Sequence, residues 1–249
     1  MGIPLDGLTE QAAVDRIIGD WRQGLGGWVV TPNLDQLRIL SEQPELKDTV
    51  ATHASLLLAD GMPLVWASRI QGTPLPQRVA GSELILSLTA AAAEAGASVF
   101  LLGGTEGAGE KAATRMILAN PQLRIAGILS PRMGFEKDPQ MIAAIKDQVA
   151  AAKPDLVYTC LGFPKQEWLI QQLKDYLPGS WFLGLGGSLS MISGEVRRAP
   201  VWMRNCGLEW VCRLVQEPRR LFKRYIIHDI PFALRLLASA IQHRWAAAD

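Results

Sequence analysis

Short apolar runs alternate with longer amphipathic segments along most of this 249-residue chain. Each run ends at a turn rich in Gly, Asp or Pro, which is typical of a buried strand, and the segments between repeat their apolar residues with helical spacing. The predicted strands are Trp28–Val30, Leu56–Ala59, Ser98–Leu102, Leu123–Leu129, Asp155–Leu161 and Trp181–Leu185. The predicted helices are Thr9–Trp21, Leu34–Glu42, Met62–Ile70, Ser82–Glu94, Ala108–Ala119, Pro139–Ala152 and Trp168–Leu177. This alternation predicts an α/β fold of the Rossmann-like kind, with a parallel sheet and right-handed crossovers.

Composition supports a globular protein with a sizeable core, since 49% of the residues are hydrophobic and 20% are charged. The three cysteines, Cys160, Cys206 and Cys212, fit neither a metal clip nor a disulfide framework, so a reducing cytoplasm is expected. The N-terminus lacks the basic patch and apolar core of a signal peptide, and no run is long enough to span a bilayer. No nucleic-acid partner is expected.

The chain changes character after Gly194. Residues 195–249 contain ten Lys and Arg against five Asp and Glu, a net charge of +5, whereas the rest carries about −4. Pro200, Pro218 and Pro231 are expected to divide this stretch into three helical pieces, each with proline in its first turn. We therefore predict an α/β domain over 1–194 and a basic helical appendage over 195–249. The basic helices either pack with a solvated side, bind an anionic membrane, or turn arginines towards a diphosphate.

Polar side chains follow the first two predicted strands. Asp60 lies between a buried strand and the next helix, where ligands of open α/β sheets bind. It either caps that helix or performs chemistry. Thr31 and Asn33 lie at the equivalent turn after the first strand, where they either cap a helix or bind a polar ligand.

A Gly-rich turn, Gly103–Gly107, joins the clearest strand to a helix, an arrangement that can present backbone N–H groups to a phosphate. Gly107–Ala112 matches the dinucleotide-binding pattern G-x-G-x-x-A. The match begins too late after the strand, and no carboxylate follows the next strand to hold a ribose, so tight packing or another phosphate contact is favoured. No D-x-D pair or spacing of metal ligands is present, and no metal site is predicted.

A set of short motifs occurs in a fixed order between about Val30 and Tyr225. Together they resemble the WecG/TagA/CpsF glycosyltransferases, glycosyltransferase family 26. The motifs are Ala59–Gly61, Gln77–Ser82, Phe100–Gly104, Gly162–Glu167, Arg198–Pro200, Gly207–Trp210, Glu217–Arg220 and Arg224–Tyr225.

The resemblance implies an inverting, metal-independent and cofactor-free enzyme. It would transfer N-acetylmannosamine or its uronic acid from a UDP-sugar to a polyprenyl-diphosphate-linked saccharide, in cell-surface polysaccharide or teichoic acid synthesis. The family's proposed catalytic base matches Asp60. The family's active-site threonine, asparagine and glutamine match Thr31, Asn33 and Gln166, and its appendage arginines would be Arg213, Arg220 and Arg224. We also predict that Arg78, Gly103, Gly104, Glu167 and Gly187 bind substrate.

The resemblance also implies that the appendage binds the membrane, which would place a cytoplasmic protein at the inner face of the plasma membrane. A homo-oligomer is possible. Leu189-Ser190 stands where family members commonly carry Phe-Asp, which puts a carboxylate role at this position in doubt and leaves the identity of the donor open. Two other classes remain open, a nucleotide-dependent oxidoreductase and a non-catalytic peripheral membrane module.

Overall fold

The computed structural model describes residues 3–246, so the first two and the last three residues of the predicted domains lie outside it. Its centre is a sheet of six parallel strands in the order β2-β1-β6-β5-β3-β4. The strands are β1 (Gly27–Val30), β2 (Leu56–Leu57), β3 (Ser98–Gly103), β4 (Arg124–Leu129), β5 (Leu156–Cys160) and β6 (Trp181–Gly184). The predicted Rossmann-like α/β class is confirmed.

Helices cover both faces of the sheet and form the C-terminal part of the chain. Those up to Gly194 are α1 (Glu10–Arg22), α2 (Leu34–Glu42), α3 (Pro44–His53), α4 (Met62–Gln71), α5 (Gly81–Ala95), α6 (Ala108–Ala119), α7 (Pro139–Ala152), α8 (Lys165–Lys174) and α9 (Ser188–Ile192). Those after it are α10 (Val201–Asn205), α11 (Glu209–Gln216), α12 (Pro218–Phe222) and α13 (Ile230–Ala246), with a π-helical segment, Lys223–Asp229, between the last two.

The two faces of the sheet bury two separate apolar clusters. Val29, Leu101 and Leu183 belong to one cluster, whereas their chain neighbours Val30 and Leu102 belong to the other. This division follows from the period of two in a strand, which sends successive side chains to opposite faces. Both faces are covered by helices, so the strands read as continuous apolar runs rather than as alternating ones.

Helix α3 and strand β2 differ from the sequence prediction. Helix α3 was not predicted because Val50 is its one buried residue, so the apolar period is too weak to detect. Strand β2 contains only Leu56 and Leu57, because it lies at the sheet edge and pairs with β1 alone. Backbone hydrogen bonds nevertheless continue past it, with Leu58 N–H donating to Val30 O at 2.9 Å.

The prediction that Pro231 begins a separate helical piece is wrong. Helical structure is continuous from Pro218 to Ala246, and Pro231 is the second residue of α13. A proline inside a regular α-helix clashes with the carbonyl four residues earlier. The π-helical segment ends at Asp229, two residues before Pro231, so the turn that holds the carbonyl four residues earlier is wider than an α-helical one.

The glycines of the G-x-G-x-x-A match have a packing explanation. Gly107 has φ +76° and precedes α6. A Cβ on Gly109 would lie 2.5 Å from Ile128 Cγ2, so α6 can approach β4 only with glycine there. Within residues 3–246, no helix combines the length and apolar character needed to cross a bilayer.

Candidate active site

A cavity of about 360 Å³ opens at the carboxyl ends of β1, β2 and β6. In an open α/β sheet, loops leaving the carboxyl ends of strands meet at one edge, where ligands bind. The appendage closes the other side of the cavity. The predicted site residues that line it are Thr31, Asn33, Asp60, Arg78, Gly187, Arg213 and Arg224.

Asp60 follows β2 and is held from both sides by backbone contacts. Its N–H donates to Pro32 O at 3.0 Å, and Gly81 N–H donates to its Oδ2 at 3.4 Å. The N-cap of α4 is Gly61, and no side chain caps that helix. Asp60 therefore does not cap the helix that follows it, and its carboxylate faces the cavity instead.

The pKa of Asp60 is raised to about 6. Burial is the main cause, because it removes the water that would stabilise the charged form. The positive charge of Arg78 lowers the pKa, whereas the negative charge of Glu209 raises it. A carboxylate with this pKa is largely ionised at pH 7 and still basic enough to accept a proton, as a general base must be.

Arg78 connects the α/β domain to the appendage. Its guanidinium donates to Glu83 Oε2 at 2.7 Å and to Glu209 Oε2 at 3.2 Å, and Glu209 begins α11. Two appendage arginines also form ion pairs with Glu83 Oε1: Arg204 Nη1 donates to it at 2.6 Å, and Arg198 Nη2 lies 2.9 Å away. These half-buried ion pairs hold the appendage against α5 beside the cavity.

Thr31 and Asn33 occupy the turn after β1. Thr31 is buried, and its Oγ1 donates to Gly184 O at 3.3 Å, which ties the ends of β1 and β6 together. Asn33 caps α2 in a capping box with Gln36, with both hydrogen bonds at 3.1 Å. Asn33 therefore caps α2 and also lines the cavity.

Gln166 and Glu167 are buried behind the cavity wall rather than in it. Gln166 Oε1 accepts from Gly186 N–H at 2.9 Å, and Gln166 Nε2 donates to Glu167 Oε1 at 2.8 Å. Trp28 Nε1 donates to Glu167 Oε2 at 3.1 Å. Burial raises the pKa of Glu167 to about 7, and the two donated hydrogen bonds limit the rise.

The appendage arginines have different surroundings. Arg213 lines the cavity, with its Nη2 3.7 Å from where a Cβ on Gly187 would lie, and its buried Nε has no hydrogen-bond partner within residues 3–246. Arg224 also lines the cavity, but its Nε lies 3.0 Å from Asp35 Oδ2 and 3.7 Å from Asp229 Oδ2. Arg220 lies outside the lining, exposed, and donates to Glu217 Oε1 at 2.8 Å.

Gly103 and Gly104 also lie outside the cavity lining. A Cβ on Gly103 would lie 2.4 Å from Cys160 O, and Gly104 N–H donates to the same carbonyl at 3.1 Å. The turn therefore packs against the end of β5, which accounts for its glycines without a phosphate. Leu189 is fully buried in the core, and Ser190 is not among the lining residues.

Sequence reasoning missed several residues that line the cavity. Glu209 lies within the quoted motif Gly207–Trp210, and this motif is the signal that could have identified it. Asp35 and Asp229 meet only through the docking of the π-helical segment on α2. Burial and the nearby Asp35 raise the pKa of Asp229 to about 6, whereas Arg224 and Arg38 lower it.

The sequence is similar to known proteins over most of its length. The family model described as "Glycosyl transferase WecG/TagA/CpsF family" matches residues 1–246. Two similar proteins are both named N-acetylglucosaminyldiphosphoundecaprenol N-acetyl-beta-D-mannosaminyltransferase. The protein from Bacillus spizizenii is 32% identical over 226 residues, 91% of this chain and 83% of its own length. The protein from Bacillus subtilis is 33% identical over 189 residues, 76% of this chain and 70% of its own length. The chain therefore belongs to the WecG/TagA/CpsF family of glycosyl transferases.

Proposed function

We propose that this glycosyl transferase moves an N-acetylmannosamine-type sugar, or its uronic acid, from a UDP-sugar to a polyprenyl-diphosphate-linked saccharide. The observation that carries the proposal is the half-buried Asp60 carboxylate, which shares one cavity with the appendage residue Arg213. The names of the two relatives support the acceptor class and the type of sugar. The product would enter cell-surface polysaccharide or teichoic acid synthesis.

In the proposed reaction, the acceptor hydroxyl attacks the anomeric carbon of the donor as the bond to the UDP oxygen breaks. One displacement inverts the anomeric centre. Asp60 accepts the hydroxyl proton as the new glycosidic bond forms, and the electron pair of the broken bond leaves on UDP. The pKa of about 6 supports this role, since the base is ionised at neutral pH before the proton is transferred.

Negative charge accumulates on the leaving diphosphate, and cationic side chains can stabilise it. Arg213 is the best candidate, because no ion pair engages it among residues 3–246, whereas acidic side chains already hold Arg78 and Arg224. A guanidinium can bind a phosphate through two hydrogen bonds. Residues 3–246 contain no cluster of three or more His, Cys, Asp or Glu side chains arranged for a metal ion. That the reaction needs no metal ion is part of the proposal, and excess EDTA in the assay tests it.

The appendage, residues 195–249, is proposed to cap the active site and to bind an anionic membrane at the inner face of the plasma membrane. Large apolar side chains are exposed on it, including Trp202 (61%), Phe222 (55%) and Leu234 (64%). Exposed aromatic side chains suit a bilayer interface, and each Lys or Arg near an anionic surface adds about 1 kcal/mol. A lipid-linked acceptor would be embedded in the same surface.

The test is a transfer assay with a panel of UDP-sugars and a short-chain, water-soluble polyprenyl-diphosphate GlcNAc acceptor, with products identified by mass spectrometry. UDP-N-acetylmannosamine should give product in excess EDTA. Asp60→Asn should lower turnover by about 10²–10⁴ without unfolding, because it keeps the size of the side chain but not its basicity. Asp147→Asn is the matched control, since Asp147 is exposed on α7.

If none of the UDP-sugars gave product, the proposed donor class would be wrong. If activity required added Mg²⁺ or Mn²⁺, the proposed metal-independent mechanism would be wrong. Near-normal turnover in Asp60→Asn would show that Asp60 is not the general base. Tight binding of NAD(P) without any binding of UDP would instead favour an oxidoreductase.

A further inference from the structure

The wall of the cavity formed by residues 184–187 is held from behind by three buried side chains. Gly186 N–H donates to Gln166 Oε1, Gln166 Nε2 donates to Glu167 Oε1, and Trp28 Nε1 donates to Glu167 Oε2, at 2.9, 2.8 and 3.1 Å. Gln166, Glu167 and Trp28 are each no more than 1% exposed. This connected series of hydrogen bonds runs from β1 through α8 to the loop after β6.

Glu167, in the middle of this series, sets the direction of each hydrogen bond. Both carboxyl oxygens of Glu167 accept a hydrogen bond, one from Gln166 Nε2 and one from Trp28 Nε1, so both neighbours present donors to it. Trp28 can offer only its indole N–H, and Gln166 must therefore turn its NH₂ group towards Glu167. That orientation leaves the Gln166 carbonyl oxygen facing Gly186 N–H, the one backbone donor that it satisfies in the loop.

Close packing reinforces this arrangement at the end of β6. A Cβ on Gly184 would lie 2.7 Å from both Gln166 Nε2 and Glu167 Oε1, so the two side chains lie directly against the backbone there. On its other side, the Gly184 carbonyl accepts from Thr31 Oγ1 at 3.3 Å. The same stretch continues to Gly187, beside Arg213 in the cavity.

We infer that Glu167 is a positioning residue, which fixes the amide orientation of Gln166 and thereby the loop 184–187 that lines the cavity. The inference rests on the proposed function only for its effect on transfer. It assigns Glu167 no contact with substrate, because each of its carboxylate oxygens already accepts a hydrogen bond from a buried donor.

The test uses an exchange of the two side chains in the full-length protein. Glu167→Gln alone leaves one carbonyl oxygen for two donors and places two NH₂ groups against each other, so the Gln166 amide loses its fixed orientation. Gln166→Glu alone places two carboxylates in contact. The double variant Gln166→Glu/Glu167→Gln can form every original hydrogen bond, with Gly186 N–H donating to residue 166, residue 167 donating to residue 166, and Trp28 donating to residue 167.

Two readouts separate the positioning role from the proposed function. The first is the amide signal of Gly186 and its hydrogen exchange by NMR, which needs no substrate. The second is kcat/KM for transfer. Glu167→Gln should shift the Gly186 signal, speed its exchange and lower kcat/KM by about 10², as expected when a loop bordering the reaction is misplaced. The double variant should recover the Gly186 signal and return kcat/KM to within about tenfold of the wild type.

Asp175→Asn is the matched control, because it makes the same acid-to-amide change at an exposed site that follows α8. If Glu167→Gln does not fold, Trp28→Phe replaces it as the test variant. It removes the indole N–H that donates to Glu167, and it should shift the Gly186 signal by less than Glu167→Gln would. An unchanged Gly186 signal in Glu167→Gln or Trp28→Phe would overturn the inference. So would a double variant that recovers the Gly186 signal but not transfer, since that result means direct contact with substrate. If the wild type shows no transfer with any sugar, the proposed function fails while the NMR result still decides the positioning role.

Discussion

The half-buried environment of Asp60 predicts a defined acid limb in the pH profile of transfer. A general base works only when deprotonated, so kcat/KM should follow the ionised fraction of Asp60. With a pKa of about 6, roughly 90% of the carboxyl is ionised at pH 7 and roughly 10% at pH 5. Transfer should therefore fall nearly tenfold between these values. A carboxyl at the ordinary 3.8 would lose little, and the rise to about 6 corresponds to about 3 kcal/mol of disfavoured charge.

The assay measures initial release of UDP at limiting donor between pH 5 and 8, with a soluble acceptor and constant ionic strength. Each sample is also returned from pH 5 to pH 7, to show that the loss is reversible. Two other buried carboxyls titrate in this range, because the pKa of Asp229 is about 6 and that of Glu167 is about 7. The wild-type profile alone therefore does not identify the group.

Two variants that each remove one negative charge identify the group that produces the acid limb. Glu209→Gln removes a negative charge that raises the pKa of Asp60, so its acid limb should move to lower pH. Asp229→Asn should leave the limb where it is. A profile that stays flat between pH 5 and pH 7 would refute the assignment of Asp60, and so would a limb that moves in Asp229→Asn but not in Glu209→Gln.

Two further predictions concern the appendage. Arg213→Ala should lower kcat by about 10²–10³, because the guanidinium that faces the diphosphate is lost, and Arg213→Lys should have an intermediate kcat. The control Arg219→Ala, at an exposed site, should have little effect on kcat. If Arg213→Ala had the same kcat as the wild type, another group would have to stabilise the charge that develops on the diphosphate. Replacing the exposed Phe222 by Ser together with Arg219→Glu should weaken co-sedimentation with anionic vesicles, more at low salt than at high salt, and leave transfer to soluble acceptors intact. Undiminished sedimentation would assign the exposed apolar side chains another role.

The sequence predicted those features that depend on neighbours along the chain. The order of strands and helices, the parallel sheet and the place of Asp60 after β2 all follow from local apolar runs and turn residues. The Gly-rich turn at Gly103 was harder to interpret, because a phosphate cradle and tight packing both require glycine. Its contact with the Cys160 carbonyl is a packing contact that no local pattern encodes.

Side-chain partners distant in sequence could not be predicted. Arg78 and Glu209 are 131 positions apart, and whether an appendage arginine is paired depends on how the appendage docks. Arg213, Arg220 and Arg224 look alike in a basic amphipathic stretch. In the folded protein, one lines the cavity without an ion pair among residues 3–246, one pairs with Glu217 in solvent, and one is held by Asp35.

The π-helical segment determines how the appendage can respond to a change in its length. Each α-helical residue turns the chain by about 100°, and a π turn contains one residue more than an α turn. Deleting a single residue between Lys223 and Asp229 would let the segment become α-helical, and α13 would keep nearly the same rotation relative to α12 because the π turn holds one residue more than an α turn. Phe232, Leu236 and Ala240, which now face inward, would therefore still face α4. Deleting a second residue there would rotate α13 by about 100° and turn these side chains away, so the appendage should tolerate the loss of one residue in this segment but not of two.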